Sequence, residues 1–121
     1  MTAPRMRRIN EVLREVIGAT ITTELSDPRI GFVTVTSVET SPDLRTAKVY
    51  VSVLGSDEDR EETLSGLRSS HGVLQTRIAA ETRMKRTPTL TFHYDDTVAR
   101  GARISQLLDE EAPAAEPEQD A

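Results

Sequence analysis

Hydrophobic residues near the start of the chain fall at Met6, Ile9, Leu13, Val16, Ile17 and Ile21, spacings of three and four that draw one stripe along a helix. The stripe predicts a helix from about Arg5 to Leu25. Ser26-Asp27-Pro28 ends it, because the residue before a proline is pushed out of the helical region. The period then changes. Phe32, Val33, Val35 and Val38 mix with Thr34, Thr36 and Ser37, and this β-branched density predicts a strand over 32–40. After a turn at Ser41-Pro42-Asp43, Ala47, Val49, Val51 and Val53 alternate with Lys48, Tyr50 and Ser52. That alternation predicts a second strand over 46–54, close enough to the first to form a hairpin.

The acidic run Asp57 to Glu62 suits a helix N-terminus, where negative charge meets the positive end of the macrodipole. Leu64, Leu67, Val73, Leu74 and Ile78 carry helical spacing onward to about Met84, across Ser69-Ser70-His71-Gly72. A glycine inside a helix costs about 1 kcal/mol relative to alanine. Periodicity alone does not separate a tolerated glycine from a kink here, since the stripe can be traced through it. Thr87-Pro88 ends the region, and Leu90, Phe92 and Tyr94 alternate with Thr89, Thr91 and His93 in a third strand. A short amphipathic segment with Val98, Ile104, Leu107 and Leu108 follows. The order is α, β, β, α, break, α, β. It predicts an α+β fold with a three-stranded sheet and helices packed on one face, the order of a type II KH-like domain.

Charge alters the picture more than composition does. The 121 residues suit one domain, with a core of Val, Ile and Leu because only two Phe and two Tyr are present. Residues 1–108 are expected to form that domain, and 109–121 an acidic disordered tail. The formal net charge of −5 is concentrated in this tail, which holds six acids and no base; without it 14 acids face 15 Lys and Arg. Local clusters therefore matter more than the total, since charges more than about 10 Å apart are screened. Arg5, Arg7 and Arg8 open the chain; Arg77, Arg83, Lys85 and Arg86 follow the glycine; Arg100 and Arg103 come later. No run is long and apolar enough for a membrane helix, and the basic start lacks a signal-type apolar stretch. A cytoplasmic location without membrane contact is expected. The absence of cysteine excludes disulfides and thiol chemistry.

Candidate catalytic chemistry is thin. His93 and Asp95 share one face of a strand with Asp96 beside them, but a metal or acid–base site needs further convergent donors. The other histidine, His71, falls at the helix break. No phosphate-binding glycine loop and no nucleophile elbow is present. No enzyme activity, cofactor or metal is expected. The basic clusters read either as solvated helix faces or as phosphate contacts, for in a KH fold the segment carrying Arg77 to Arg86 faces nucleic acid. The GxxG loop of ordinary KH domains is missing.

Several motifs recur in a recognisable order: Asp27-Pro28-Arg29, the Ser41-Pro42-Asp43-Leu44 turn, the small-x-Gly break Ser70-His71-Gly72, Lys85 or Arg86 before Thr87-Pro88-Thr89-Leu90-Thr91-Phe92, and Asp95-Asp96-Thr97. In this combination residues 5 to 108 resemble the bacterial ribosome-binding factor A family. The resemblance implies a type II KH-like domain in which an Ala-x-Gly kink replaces GxxG, with Ser70 standing where the family has alanine. It implies a non-enzymatic assembly factor, acting as a monomer, that binds free, immature small ribosomal subunits and contacts small-subunit rRNA near the decoding region. Support of late maturation and 5′-end processing of that rRNA, and of growth in the cold, is implied as well. On this reading Arg5, Arg7, Arg8, Ser70, His71, Gly72, Arg77, Arg83, Lys85 and Arg86 contact RNA. The kink at this triplet is expected to set the direction of the second helix and to present its Gly72 backbone closely to RNA. The alternative is a KH-like protein-interaction module without direct RNA contact.

Overall fold

The computed structural model describes residues 4–97. The predicted segment with Val98, Ile104, Leu107 and Leu108, the bases Arg100 and Arg103, and the acidic tail lie outside the described residues. Six elements follow in order: α1 (Pro4–Thr23), β1 (Val33–Thr40), β2 (Thr46–Val53), α2 (Asp57–Ser69), α3 (His71–Glu81) and β3 (Thr89–Tyr94). The sheet order is β1-β2-β3, with β1 antiparallel and β3 parallel to the central β2. This is the predicted α+β arrangement, with the helix-strand-strand-helix-helix-strand order of a KH-like domain.

Alternation along β2 explains the layering. Ala47, Val49, Val51 and Val53 are all buried against the helices, together with Val35 and Val38 of β1 and Leu90 and Phe92 of β3. Their β2 neighbours Lys48, Tyr50 and Ser52 point to the other face. Val35 and Val38 differ in parity, yet both face inward. A bulge between Val35 and Ser37 restores the register, and the Thr36 hydroxyl it places outward donates to Asp95 Oδ2 at 2.7 Å, with Tyr50 O 3.2 Å away. Leu13, Ile17 and Ile21 of α1, Leu64 and Leu67 of α2, and Leu74 and Ile78 of α3 complete one continuous core.

Helix ends follow local chemistry. Ser56 caps α2 in a reciprocal box with Asp59: Asp59 N donates to Ser56 Oγ at 3.1 Å, and Ser56 N to Asp59 Oδ2 at 2.9 Å. α1 ends at Thr23, two residues before the predicted Leu25, and the turn at 27–30 is pinned to α2. Gly31 N donates to Thr63 Oγ1 at 3.2 Å, and buried Thr63 donates to Arg29 O at 3.4 Å. α3 ends at Glu81 rather than near Met84, where the Thr82 backbone turns extended.

The break between α2 and α3 falls within the expected Ser70-His71-Gly72, at its serine rather than at its glycine. Ser70 carries it, with φ −97° and ψ 9°. Ser70 N donates to Gly66 O and Leu67 O at 3.1 and 3.0 Å, closing α2, and Ser70 O accepts from Leu74 N at 3.2 Å, opening α3. The Ser70 hydroxyl turns back to Gly66 O at 3.0 Å and so leaves the first N–H groups of α3 without a side-chain cap. Gly72 lies within α3, free of positive φ, and a Cβ built on it would meet no atom within 4 Å. Packing instead requires glycine at Gly66, where a Cβ would stand 2.7 Å from Ile30 Cγ1.

Candidate nucleic-acid interface

α1 and α3 lie antiparallel. Arg77 of α3 meets Glu24 just beyond the end of α1, while Thr82 and Met84 after α3 line a groove with Arg5, Arg8 and Ile9 at the start of α1. The two ends of this helix pair are separated along α3 by about 16 Å for eleven residues.

At one end, sequence-distant bases converge. Arg5 from α1, Arg45 from the turn before β2, and Arg83, Lys85 and Arg86 from the α3–β3 connection line one open cleft of about 690 Å³ with Ile9, Asp43, Leu44 and Met84. The turn is built to hold Arg45 there. Leu44 adopts a left-handed backbone with φ 62°, Leu44 N donates to Ser41 O at 2.8 Å, and Ser41 Oγ donates to Asp43 and accepts from Thr46 N. The Ser41 hydroxyl and the Arg45 N–H hold the Asp43 carboxyl below its ordinary pKa. Asp43 approaches Arg45 only to 3.9 Å, with both side chains largely exposed, a geometry that neutralises little. Among the described residues no carboxylate lies within ion-pair distance of Arg5, Arg83, Lys85 or Arg86. Among the described residues, five cations facing one acid at the positive end of α1 make a surface suited to phosphate oxygens.

The other bases predicted from the sequence are placed differently. Arg8 joins Arg5 beside the cleft in the adjoining groove, whereas Arg7 is exposed but lines neither. Arg77 is engaged within the fold: Nη2 bonds Glu81 Oε2 at 2.7 Å, and Nε lies 2.9 Å from Glu24 Oε2 in a charge contact off hydrogen-bond alignment. It ties α3 to the end of α1. Arg45 was not among the predicted bases. A base directly after the Ser-Pro-Asp-Leu turn was the available signal, but turn residues reveal no direction until the turn is folded.

The helix junction occupies the opposite end. His71 and Gly72 are exposed there and Ser70 is half-buried, so the three predicted junction residues do not share a patch with the basic cleft. His71 Nδ1 lies 3.0 Å from Arg68 O, so this nitrogen carries the proton that it donates. Nearby, Arg29 grips Asp27 through Nη2–Oδ2 at 2.7 Å and donates to Ser65 Oγ at 3.2 Å. The Arg29 guanidinium and backbone N–H lower the Asp27 pKa from 3.8 to about 2.

His93 is held by contacts ordinary for an open sheet face. Nε2 lies 2.9 Å from Thr91 Oγ1 and the ring sits 5.5 Å from Tyr50. Asp95 accepts from Thr36 Oγ1 and Thr97 N. Among the described residues no group of three or more His, Asp or Glu is placed to hold a metal, and no helix is long and apolar enough to cross a membrane.

Comparison with known proteins gives concordant matches. The family model for ribosome-binding factor A matches residues 5–108. The ribosome-binding factor A of Halothermothrix orenii is 45% identical over 108 residues, covering 89% of this chain and 88% of that protein. A crystal structure of ribosome-binding factor A from Thermus thermophilus aligns with TM-score 0.67 and 28% identity, over 74% of this chain and 93% of that one. A solution structure of a Thermotoga maritima protein assigned as a ribosome binding factor A aligns with TM-score 0.70 and 35% identity, over 77% and 89%. A homology model of Thermus thermophilus ribosome binding factor A, as fitted into the cryo-electron-microscopy map of a 30S complex of that protein, aligns with TM-score 0.61 and 29% identity, over 72% and 91%.

Proposed function

The chain belongs to the ribosome-binding factor A family, and from that premise we propose that it binds free, immature small ribosomal subunits by setting its basic cleft against rRNA phosphates. The observation carrying this reading is the convergence of Arg5, Arg45, Arg83, Lys85 and Arg86 on one cleft with Asp43 as the sole acid among its described lining residues. Cations that meet RNA phosphates release counterions from RNA when they bind, and the affinity becomes steeply salt-dependent. The Thermus thermophilus relative fitted into a 30S complex supports the choice of partner. Arg8 and Arg7 extend the basic surface along α1. Ser70, His71 and Gly72 form a second, smaller contact at the opposite end, where the exposed His71 ring and Gly72 backbone can meet RNA.

Residues 1–108 act as the binding domain and the acidic tail 109–121 is dispensable for contact. The protein acts in the cytoplasm as a monomer, without catalysis, in late maturation and 5′-end processing of small-subunit rRNA. Co-sedimentation with small subunits across a salt series tests this reading. Affinity is expected to fall by about 0.7–0.9 log units per log unit of salt for each phosphate neutralised, and Arg45→Ala or Lys85→Ala is expected to flatten the slope by about one contact. Salt-insensitive association would transfer the contact to protein. That second reading is favoured by Phe32 and Leu54, exposed at 79% and 76% and joined by a Leu54 N to Phe32 O bond of 3.0 Å.

A further inference from the structure

Directly beside the basic cleft lies a groove of different chemistry. Arg5, Arg8, Ile9, Val12, Leu13, Thr82 and Met84 line about 210 Å³ of open space between the first half of α1 and the residues following α3. Apart from the two arginines its walls are nearly all carbon. The Thr82 hydroxyl is already committed, donating to Ile78 O at 2.7 Å and accepting from Met84 N at 3.4 Å. Val12 stands 38% exposed, an apolar side chain left in water by the fold. The groove shares Arg5, Ile9 and Met84 with the cleft, so the phosphate-binding surface and the apolar slot are two halves of one depression.

We propose that this groove receives an unpaired RNA base while the neighbouring cleft holds the phosphates on either side of it. The inference rests on the RNA-binding reading above and narrows it to irregular or single-stranded RNA rather than regular duplex. Size and chemistry favour this occupant. The space is below the roughly 300 Å³ at which sites for drug-sized ligands begin, and it suits one flat ring system. An A-form duplex keeps its bases stacked and offers such a slot nothing but backbone; a bulged or looped base presents an apolar face that stacks on side chains and on guanidinium planes. Arg5 and Arg8 supply those planes at the groove, and a base there cannot separate from its own phosphates, which the adjoining cations hold.

The test compares three RNA hairpins at one salt concentration: a perfect duplex, the same duplex with one bulged nucleotide, and the bulge with an abasic residue. The full chain is expected to bind the bulged hairpin at least fivefold more tightly than the other two, as stacking of about 1–3 kcal/mol per base implies. Val12→Lys fills the groove with a flexible chain and keeps the surface basic. It is expected to remove the preference while leaving duplex affinity equal or higher and the unfolding midpoint unchanged. Equal affinity for all three RNAs, together with salt-sensitive binding, would overturn the base-binding inference and leave the cleft reading intact; no salt-sensitive RNA binding at all would overturn both. A Val12→Lys variant whose only change is a lowered unfolding midpoint would also overturn it. That outcome would mark the groove as the seat of a protein segment.

Discussion

Gly66→Ala and Gly72→Ala make the same chemical change in neighbouring helices, and the structure gives them opposite signs. Each variant gains helix propensity, at most about 1 kcal/mol. At Gly72 nothing opposes the gain: the backbone is helical, the residue is exposed, and a Cβ meets no atom within 4 Å. At Gly66 the new Cβ stands 2.7 Å from Ile30 Cγ1 and 3.4 Å from Asp27 Cγ and Ile30 Cδ1. Favourable carbon contacts lie at about 3.5–4.0 Å, so Ile30 must retreat by on the order of 1 Å. It has little freedom to do so. Its side chain is β-branched and packed against the core, Ile30 N is bonded to Asp27 O at 3.0 Å, and the adjacent Arg29 O and Gly31 N are both tied to Thr63. Overpacking of this kind costs about 1–3 kcal/mol. Gly66→Ala is therefore expected to destabilise by up to about 2 kcal/mol, and Gly72→Ala to stabilise by up to about 1. Because propensity is common to both, the difference between them isolates the steric cost. Urea unfolding followed by circular dichroism reads it: with m about 1–3 kcal/mol/M, the midpoints should separate by on the order of 1 M. Adding Ile30→Ala should remove most of the Gly66→Ala penalty, as coupled neighbours require. Equal midpoints for the two glycine variants, or no rescue by Ile30→Ala, would refute the reasoning.

Other perturbations probe separate parts of the molecule. Ser56→Ala removes the acceptor for Asp59 N and is expected to cost about 0.5–2 kcal/mol in the same unfolding assay. Asp27 has a folded pKa lowered to about 2 from 3.8, so its contact with Arg29 stabilises the fold above about pH 4 and is lost as pH falls towards 2. Asp27→Asn should accordingly make unfolding midpoints less pH-dependent in that window, while the wild type loses stability across it. Arg77→Ala should lower the midpoint and leave the salt slope of subunit binding unchanged, because both of its partners are carboxylates of the fold. Lys85→Ala should do the reverse. A flattened salt slope for Arg77→Ala would return that residue to the RNA-contacting set.

Element identity was legible because it depends on local spacing. The α1 stripe, the β2 alternation and the run Thr89–Tyr94 appear in the structure as their periods predict. The parity switch between Val35 and Val38 is visible in the sequence, but its resolution as a bulge depends on a partner strand. The glycine question was misplaced for a similar reason. Both Gly66 and Gly72 occur in helical surroundings, and only the approach of Ile30 from a distant turn distinguishes the required glycine from the tolerated one.

For the candidate site, the sequence by itself determined which bases are available and that they gather at the start of α1 and after α3. It could not determine which of them keep their charge for a partner. Arg77 and Lys85 look alike along the chain, yet antiparallel packing of α1 against α3 brings Glu24 to Arg77 and leaves Lys85 without a carboxylate among the described residues. Parallel pairing of β2 with β3, with Thr89 N donating to Arg45 O at 2.8 Å, brings Arg45 beside the α3–β3 connection, and the course of α3 sets the helix junction at its far end. Periodicity is a property of neighbours in sequence. Charge pairing and close approach arise between residues tens of positions apart, and only the tertiary fold decides which of those meet.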